Sequence, residues 1–399
     1  MSRSISAVCR NITPSATLRL NAIVNEKRAQ GLDIIGMGAG EPDFPTPAAI
    51  CAAAKQAIDT GKTKYTAANG IPELRKAVGA HVNRLYGLTY GPNEVIIGTG
   101  AKQVLMEALI AILDPGDEVI LPAPCWLSYP EMIRMAGGVP AMVLTTAQQG
   151  FLPSMQALSD AITPRTKAIL INTPNNPTGA VWGENLLREV AQLAVQHDLF
   201  IISDEIYETL VFSGARHVPI ATLGDEVFER TITISGWSKA YAMTGWRLGY
   251  ALGPKDVINA MGAYQSHATG NPNSIAQYAA LEALQGPQDS VEDMRLAFER
   301  RRDLMLELSS GIPGIACAPP QGAFYVLMNI QGLVGKRYQG QEIRNDEDFT
   351  ELLLEHKLVS VVSGTPFCAP NCVRLSYAIA DDTIREAMRR IAEFVKELT

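Results

Sequence analysis

A lysine, Lys239, follows the apolar run 231–234 by way of Ser235-Gly236-Trp237-Ser238, and Arg247 stands eight positions on, within Gly245-Trp246-Arg247-Leu248-Gly249. Alone, Lys239 reads as a surface lysine lying along apolar neighbours, and Arg247 as an ion-pair arginine. A second run, 200–203, ends in Asp204 and Glu205, with Tyr207 just beyond. An acid directly behind such a run is poorly solvated, so it calls for a positive or protonated partner, or a helix end to cap. A third run, 94–97, leads into Gly98-Thr99-Gly100-Ala101-Lys102-Gln103 at the start of a helical pattern. Glycines at such a turn let backbone N–H groups approach an anion at the helix N-terminus, which suits a phosphate. A fourth, 168–171, leads into Asn172-Thr173-Pro174-Asn175-Asn176-Pro177-Thr178-Gly179, which by itself reads as a rigid turn.

The elements that must position these residues alternate. Short apolar runs at 94–97, 119–121, 139–144, 168–171, 200–203, 231–234 and 248–252 are separated, for the most part, by helical patterns. Buried strands alternating with helices predict an α/β fold with a mostly parallel sheet covered on both faces. In such sheets ligands sit at the carboxyl ends of the strands, where all of these residues stand. From about 288 the texture changes to a long charged helix over 289–310, strands near 323–328, 358–362 and 372–377, a helix near 346–356 and a terminal helix from 381. This predicts a smaller α+β unit. With no polar linker, the two units should share an interface.

Two nucleotide readings fail on single residues. Gln103 stands where a dinucleotide fingerprint needs its third glycine or alanine, and Gln56 stands at the leading glycine of a phosphate loop ending in Gly61-Lys62-Thr63. Taken one at a time, the bland readings of these residues hold; taken together at successive strand ends they do not. A lysine for an aldehyde, an acid for a pyridinium nitrogen and donors for a phosphate fit one cofactor, pyridoxal 5'-phosphate.

Composition narrows the class further. The chain has 399 residues, 47% of them hydrophobic, with 34 Lys+Arg against 41 Asp+Glu and a net charge of −7. That excludes a disordered chain and disfavours nucleic acid as a partner. No apolar stretch is long enough to cross a membrane, residues 1–20 lack a secretory core, and six cysteines without a C-x-x-C pair read as reduced thiols. The expected location is the cytoplasm. Five scattered histidines predict no metal site.

Nearly the whole chain resembles the class I/II aminotransferases of pyridoxal-phosphate fold type I, and most of all the aspartate aminotransferase branch common in bacteria. The marks are Pro14-Ser15-Ala16-Thr17, Ala39-Gly40-Glu41-Pro42-Asp43-Phe44, Lys64-Tyr65-Thr66 with Gly70-Ile71-Pro72-Glu73-Leu74-Arg75, Pro124-Cys125-Trp126, Asn175-Asn176-Pro177-Thr178-Gly179, Asp204-Glu205-Ile206-Tyr207, Ser238-Lys239 with Gly245-Trp246-Arg247-Leu248-Gly249, and Val373-Arg374-Leu375-Ser376-Tyr377. The resemblance implies a large cofactor domain at 48–287 and a small domain from 1–47 plus 288–399. It implies Lys239 as the Schiff-base lysine and base, Asp204 on the ring nitrogen, Asn176 and Tyr207 on the ring oxygen, and Trp126 stacked on the ring. The phosphate falls to Arg247, the backbone of Gly100, Ala101 and Lys102, and Tyr65 from a second subunit, with Ser238 also among the cofactor-binding residues, so a homodimer with shared sites is implied. Arg374 would grip the substrate α-carboxylate, with the backbone near Gly40 closing over it.

Ser15, Thr17 and Lys102 are associated in this branch with a distal carboxylate, so the implied reaction moves an amino group between aspartate or glutamate and a 2-oxo acid. The alternatives on the same fold are a transaminase for aromatic or neutral amino acids and a β-lyase. A pyridoxal-phosphate-binding transcriptional regulator would need a DNA-binding domain before residue 14. Relatives that also use prephenate usually carry a basic residue just before the P-S-x-T segment; Thr13 stands there and disfavours that activity. Trp237 and the segment 265–273 also depart from the branch, with an expected effect on pocket shape.

Overall fold

Alternation within the strands explains how one sheet is buried twice. In the computed structural model, which describes residues 5–399, seven strands form a sheet in the order Val95–Gly98, Gly249–Leu252, Thr231–Gly236, Phe200–Asp204, Thr166–Asn172, Glu118–Ala123, Val139–Leu144. Ile96, Leu170, Ile202 and Ile232 face the helices Ala101–Ile112 and Lys255–Ala268. Their neighbours Val95, Ile97, Ile169 and Ile201 point the other way, toward Pro72–Tyr86, Ser274–Gln285 and Glu184–Gln196. Successive side chains on a strand take opposite faces, so a continuous apolar run fits a sheet packed on both sides.

The sheet is parallel except for Gly249–Leu252, which runs antiparallel to both its neighbours. The chain reaches that strand from Thr231–Gly236 through a loop without a crossover helix, and such a return can only pair antiparallel. Glycines mark the edge where the register pairs Gly98 with Gly249 and Gly249 with Gly236. A Cβ on Gly249 would run into the backbone of Gly100 and Ala101, so its absence lets the helix N-terminus come down onto the sheet.

Residues 316–376 supply a second, antiparallel sheet in the order Val362–Ser363, Cys372–Ser376, Tyr325–Asn329, Ala316–Cys317. The strand expected from 323 begins at Tyr325, because Ala323 takes a left-handed backbone with φ 59. Helices Asp289–Ser310, Asp346–Lys357 and Asp381–Lys396 pack against it around Phe298, Phe349 and Phe394. The N-terminal segment joins this unit, since Ile35–Gly36 pairs in parallel with Val359–Ser360. Beyond that strand, Asp43 accepts two bonds from the buried guanidinium of Arg301, at 2.7 and 2.9 Å, and the Arg301 guanidinium also lies against the rings of Phe44 and Phe298. A bidentate, aromatic-flanked arginine fixes where the 38–44 loop lies.

Candidate active site

Because the strands are parallel, their polar ends share one edge of the sheet. Asn172 pairs in register with Asp204, and Asp204 with Ile234. Asn172 then stitches two loops: its Nδ2 donates to the Asp204 carbonyl at 2.9 Å and its Oδ1 accepts from the Asn176 N–H at 2.9 Å. Above this edge lies a cavity of about 360 Å³ whose lining includes Ser15, Thr17, Gly40, Ala101, Lys102, Trp126, Asn176, Asp204, Tyr207, Ser238, Lys239, Arg247 and Arg374. The structure thus brings together nearly all the residues singled out in the sequence, from segments more than 300 positions apart. Tyr65 is not among them: it lies on the surface, 98% exposed.

Asp204 is buried, and its partner is a phenol rather than a cation. Tyr129 donates from its hydroxyl to Oδ2 at 2.7 Å, and the Ile206 N–H donates to Oδ1 at 3.2 Å. Burial raises the carboxyl to about 6, against the pull of these two donors. Lys239 Nζ donates to the Gly40 carbonyl at 2.6 Å. Burial lowers its amine to about 8; Glu41 opposes this, while Arg247 and Arg374 push in the same direction. The reading of Lys239 as a surface lysine is therefore overturned, because its chain turns into the cavity.

Arg374 is 2% exposed. Its Nη1 donates to Asn176 Oδ1 at 3.0 Å and its Nη2 to the Gly38 carbonyl at 2.8 Å, while Nε has no partner. Asn176 spends its oxygen on Arg374 and so presents its Nδ2 as a donor. Arg247 takes a left-handed backbone, φ 55, and its Nη1 donates to the Thr244 carbonyl. Gly100 has φ +89, and a Cβ there would lie 2.5 Å from Arg247 Nη2. The Gly100 N–H is already bonded to the Gly98 carbonyl. At this turn the expected backbone donors therefore reduce to Ala101 and Lys102, the first residues of helix Ala101–Ile112, which no intrahelical carbonyl reaches. Gly100 contributes by lacking a side chain. Lys102 Nζ sits 4.7 Å from the Trp126 ring centroid, its amine lowered by burial and by Arg247.

Three residues of the site escaped the sequence reading: Tyr129, Asn172 and Tyr325. The i,i+3 spacing of Trp126 and Tyr129 points to the first; their rings meet edge to face at 5.2 Å. Asn172 was read only as part of a turn. Tyr325 has partners far away in sequence, Tyr207 and Arg374, and no local signal.

Trp237, expected to affect the pocket, does not line it. It is wholly buried on the far side of the sheet, its ring 5.2 Å from that of Tyr250, and adds volume to the core there. Segment 265–273 acts from behind: Gln265 Nε2 donates to the Ile97 carbonyl at 2.9 Å, and Thr269 accepts from Gln103 at 2.7 Å, bracing the glycine turn.

The donor set fits pyridoxal phosphate. Four cations, Lys102, Lys239, Arg247 and Arg374, line the cavity against two carboxylates, Glu41 and Asp204. Burial, joined by the neighbouring arginines, lowers both lysine amines, and a buried arginine nitrogen stands unpaired, which is the electrostatics of a site for a phosphate and a carboxylate. The buried acid of this lining, Asp204, suits a ring nitrogen that must stay protonated.

Comparison with known proteins agrees. A family profile described as aminotransferase class I and II matches residues 32–391. The chain is 48% identical, over 99% of both chains, to the aspartate/prephenate aminotransferase of Cereibacter sphaeroides. It is 46% identical to the aspartate aminotransferase of Bacillus sp. YM-2, over 97% of this chain and 98% of that one. The aspartate aminotransferase of Thermus thermophilus, solved with maleate, superposes with a TM-score of 0.93 at 46% identity, covering 98% of this chain and 100% of that one. Fold, site chemistry and full-length likeness together place this chain in the pyridoxal-phosphate-dependent class I and II aminotransferase family.

Proposed function

We propose that this aminotransferase works on dicarboxylic substrates, moving an amino group between aspartate or glutamate and a 2-oxo acid such as 2-oxoglutarate or oxaloacetate in two half-reactions. The observation that carries this reading is a cavity with carboxylate-binding groups of two kinds: the buried Arg374, and Lys102 with Ser15 and Thr17. The Arg374 guanidinium would supply the donors for an α-carboxylate. Lys102, Ser15 and Thr17 supply a cation and hydroxyls for a distal one.

Pyridoxal phosphate, when bound, supplies an aldehyde for the amine and a ring that takes up the electrons left when the Cα proton departs. Arg247, the N–H groups of Ala101 and Lys102 and the Ser238 hydroxyl would hold its phosphate. Asp204, its carboxyl raised by burial and held by the Tyr129 hydroxyl and the Ile206 N–H, would keep a proton on the ring nitrogen. Asn176 Nδ2 and the Tyr207 hydroxyl would donate to the ring oxygen, and Trp126 would offer its aromatic face. Lys239, whose amine lies in the cavity against the Gly40 carbonyl, would bond the aldehyde and would serve as the base for the Cα proton. A lowered amine serves both roles, because only the neutral form attacks or accepts a proton.

The same reading extends to assembly and location. A homodimer would bring Tyr65, fully exposed on one protomer, to the phosphate of its partner. A cofactor domain at 48–287 and a small domain at 1–47 and 288–399 would carry Lys239 and Arg374 respectively, so binding a substrate between them favours closure. Six free cysteines support the cytoplasm as location, and no helix among the described residues is long and apolar enough to cross a membrane. Prephenate stays outside the proposal on account of Thr13.

The test is a screen of amino donors with the loaded enzyme, following the cofactor's visible absorbance and release of pyruvate or ammonia. Aspartate and glutamate should discharge that absorbance fastest. A response confined to aromatic or neutral donors, or pyruvate release without transfer, would sink the dicarboxylate assignment.

A further inference from the structure

Tyr325 opens the strand Tyr325–Asn329 and is 1% exposed. Three contacts converge on it. Its hydroxyl lies 3.1 Å from that of Tyr207, which is also buried. The Arg374 guanidinium carbon stands 4.4 Å from its ring centroid and 4.8 Å from that of Phe367. A Cβ on Gly40 would fall 2.6 Å from its hydroxyl oxygen, so the closing backbone at Gly40 rests on that oxygen.

Two phenols share this hydrogen bond and either can donate. On the functional reading above, Tyr207 gives its proton to the cofactor's ring oxygen. The bond between the phenols must then run from Tyr325 to Tyr207. A donor that itself receives a hydrogen bond is polarised and donates more strongly. A cation against the Tyr325 ring draws electron density from it and strengthens its O–H as a donor. A carboxylate bound at Arg374 offsets that charge.

We infer that Tyr325 is a positioning residue that couples occupation of the carboxylate site at Arg374 to the strength with which Tyr207 donates to the cofactor's ring oxygen. It lines the cavity and acts through its two neighbours, Tyr207 and Arg374. The inference rests on the aminotransferase reading and deepens it.

The experiment titrates the visible absorbance of the bound cofactor against pH in wild type, Tyr325→Phe and Tyr325→Leu holoenzymes, with and without maleate as an unreactive dicarboxylate. Donors to the ring oxygen stabilise its anion and lower the midpoint. Tyr325→Phe keeps the ring against Arg374 and loses only the hydroxyl. Its midpoint should rise by about 0.3–1 pH unit, the equivalent of one neutral hydrogen bond. The shift that maleate causes should be smaller than in wild type, with maleate affinity within about twofold. Tyr325→Leu should also weaken maleate binding by roughly 5- to 30-fold, the size of a desolvated cation–ring contact. A Phe variant whose curves superimpose on wild type, with and without maleate, overturns the coupling and leaves the family reading intact. A wild type that shows no absorbance change with pH or with any amino donor removes both.

Discussion

The hydroxyl of Tyr129 donates to Oδ2 of Asp204 at 2.7 Å, and Asp204 is the only acid in the cavity lining that is buried. A neutral donor holds the carboxylate ionised without placing a second positive charge beside the ring nitrogen. Tyr129→Phe leaves burial unopposed on that oxygen, so the Asp204 carboxyl rises further and holds the ring proton less well. A hydrogen bond to a charged group contributes ~1.5–3 kcal/mol, so kcat and cofactor affinity should each fall about 10-fold or more. Steady-state kinetics and cofactor titration check this; unchanged values for both would show that the bond is idle. Asp204→Asn should lose at least ~1,000-fold in kcat, since an amide cannot balance a protonated ring nitrogen.

The lowered amine of Lys239 predicts a pH dependence for cofactor capture. Its folded value of about 8 means that the amine is mostly protonated, and inert as a nucleophile, below that pH. The rate at which the empty protein takes up pyridoxal phosphate should therefore climb roughly tenfold per pH unit up to about 8 and level off above it. Stopped-flow absorbance between pH 6 and 10 measures this, and a rate still rising steeply above 9.5 would mean an ordinary lysine. Lys239→Ala should remain folded and lose turnover completely.

Arg374 owes its geometry to a fork. Two nitrogens go to Asn176 and Gly38 while the planar guanidinium lies over the ring of Tyr325, an arrangement that a single ammonium cannot reproduce. Arg374→Lys should raise KM for amino acids by about 10- to 100-fold, the equivalent of ~1.5–3 kcal/mol of charged hydrogen bonding. Asn176→Ala should raise KM less, because it removes one brace and leaves the charge. Equal KM values for Arg374→Lys and wild type would exclude Arg374 as the carboxylate grip.

Gly100 is a tight point of the glycine turn at the start of helix Ala101–Ile112. Alanine there meets two obstacles, a left-handed backbone at φ +89 and Arg247 Nη2 at 2.5 Å from the new methyl. The strain costs on the order of 1–3 kcal/mol, and Arg247 must move away from the helix N-terminus. Gly100→Ala should show a lower Tm and at least a roughly tenfold weaker hold on pyridoxal phosphate. Gly245→Ala, with open space around its Cβ and an ordinary φ, is the control and should change neither.

If Tyr65 serves the partner's site, defects on two protomers can be sorted between two sites. Tyr65→Ala and Lys239→Ala chains, unfolded together and refolded, should form mixed dimers in which one site carries both defects and the other carries neither. The mixture should then exceed the activity of either variant alone, while sedimentation should report twice the 43.1 kDa chain mass. No gain on mixing, with dimers present, would place Tyr65 outside the partner's site.

The sequence by itself determined the elements and most of the chemistry. Apolar runs that alternate faces produced the sheet of Val95–Gly98, Phe200–Asp204 and Thr231–Gly236, and the polar residues behind each run, Asp204 and Lys239 among them, fell at its carboxyl edge. That much is local, because strand burial and turn chemistry depend on near neighbours. Other decisions needed the tertiary structure. Whether Lys239 lies on the surface or in a cleft depends on the Gly40 loop, held through Asp43 by Arg301, more than 250 residues away in sequence. Trp237 sits two residues before Lys239 yet belongs to the opposite face, packed on Tyr250, so its bulk never reaches the pocket. Tyr129, Tyr325 and the unpaired Nε of Arg374 gain meaning only from partners supplied by other strands and helices. Hydrogen bonds and cation–ring contacts act over a few ångströms whatever the separation along the chain, so only folding selects which of them form.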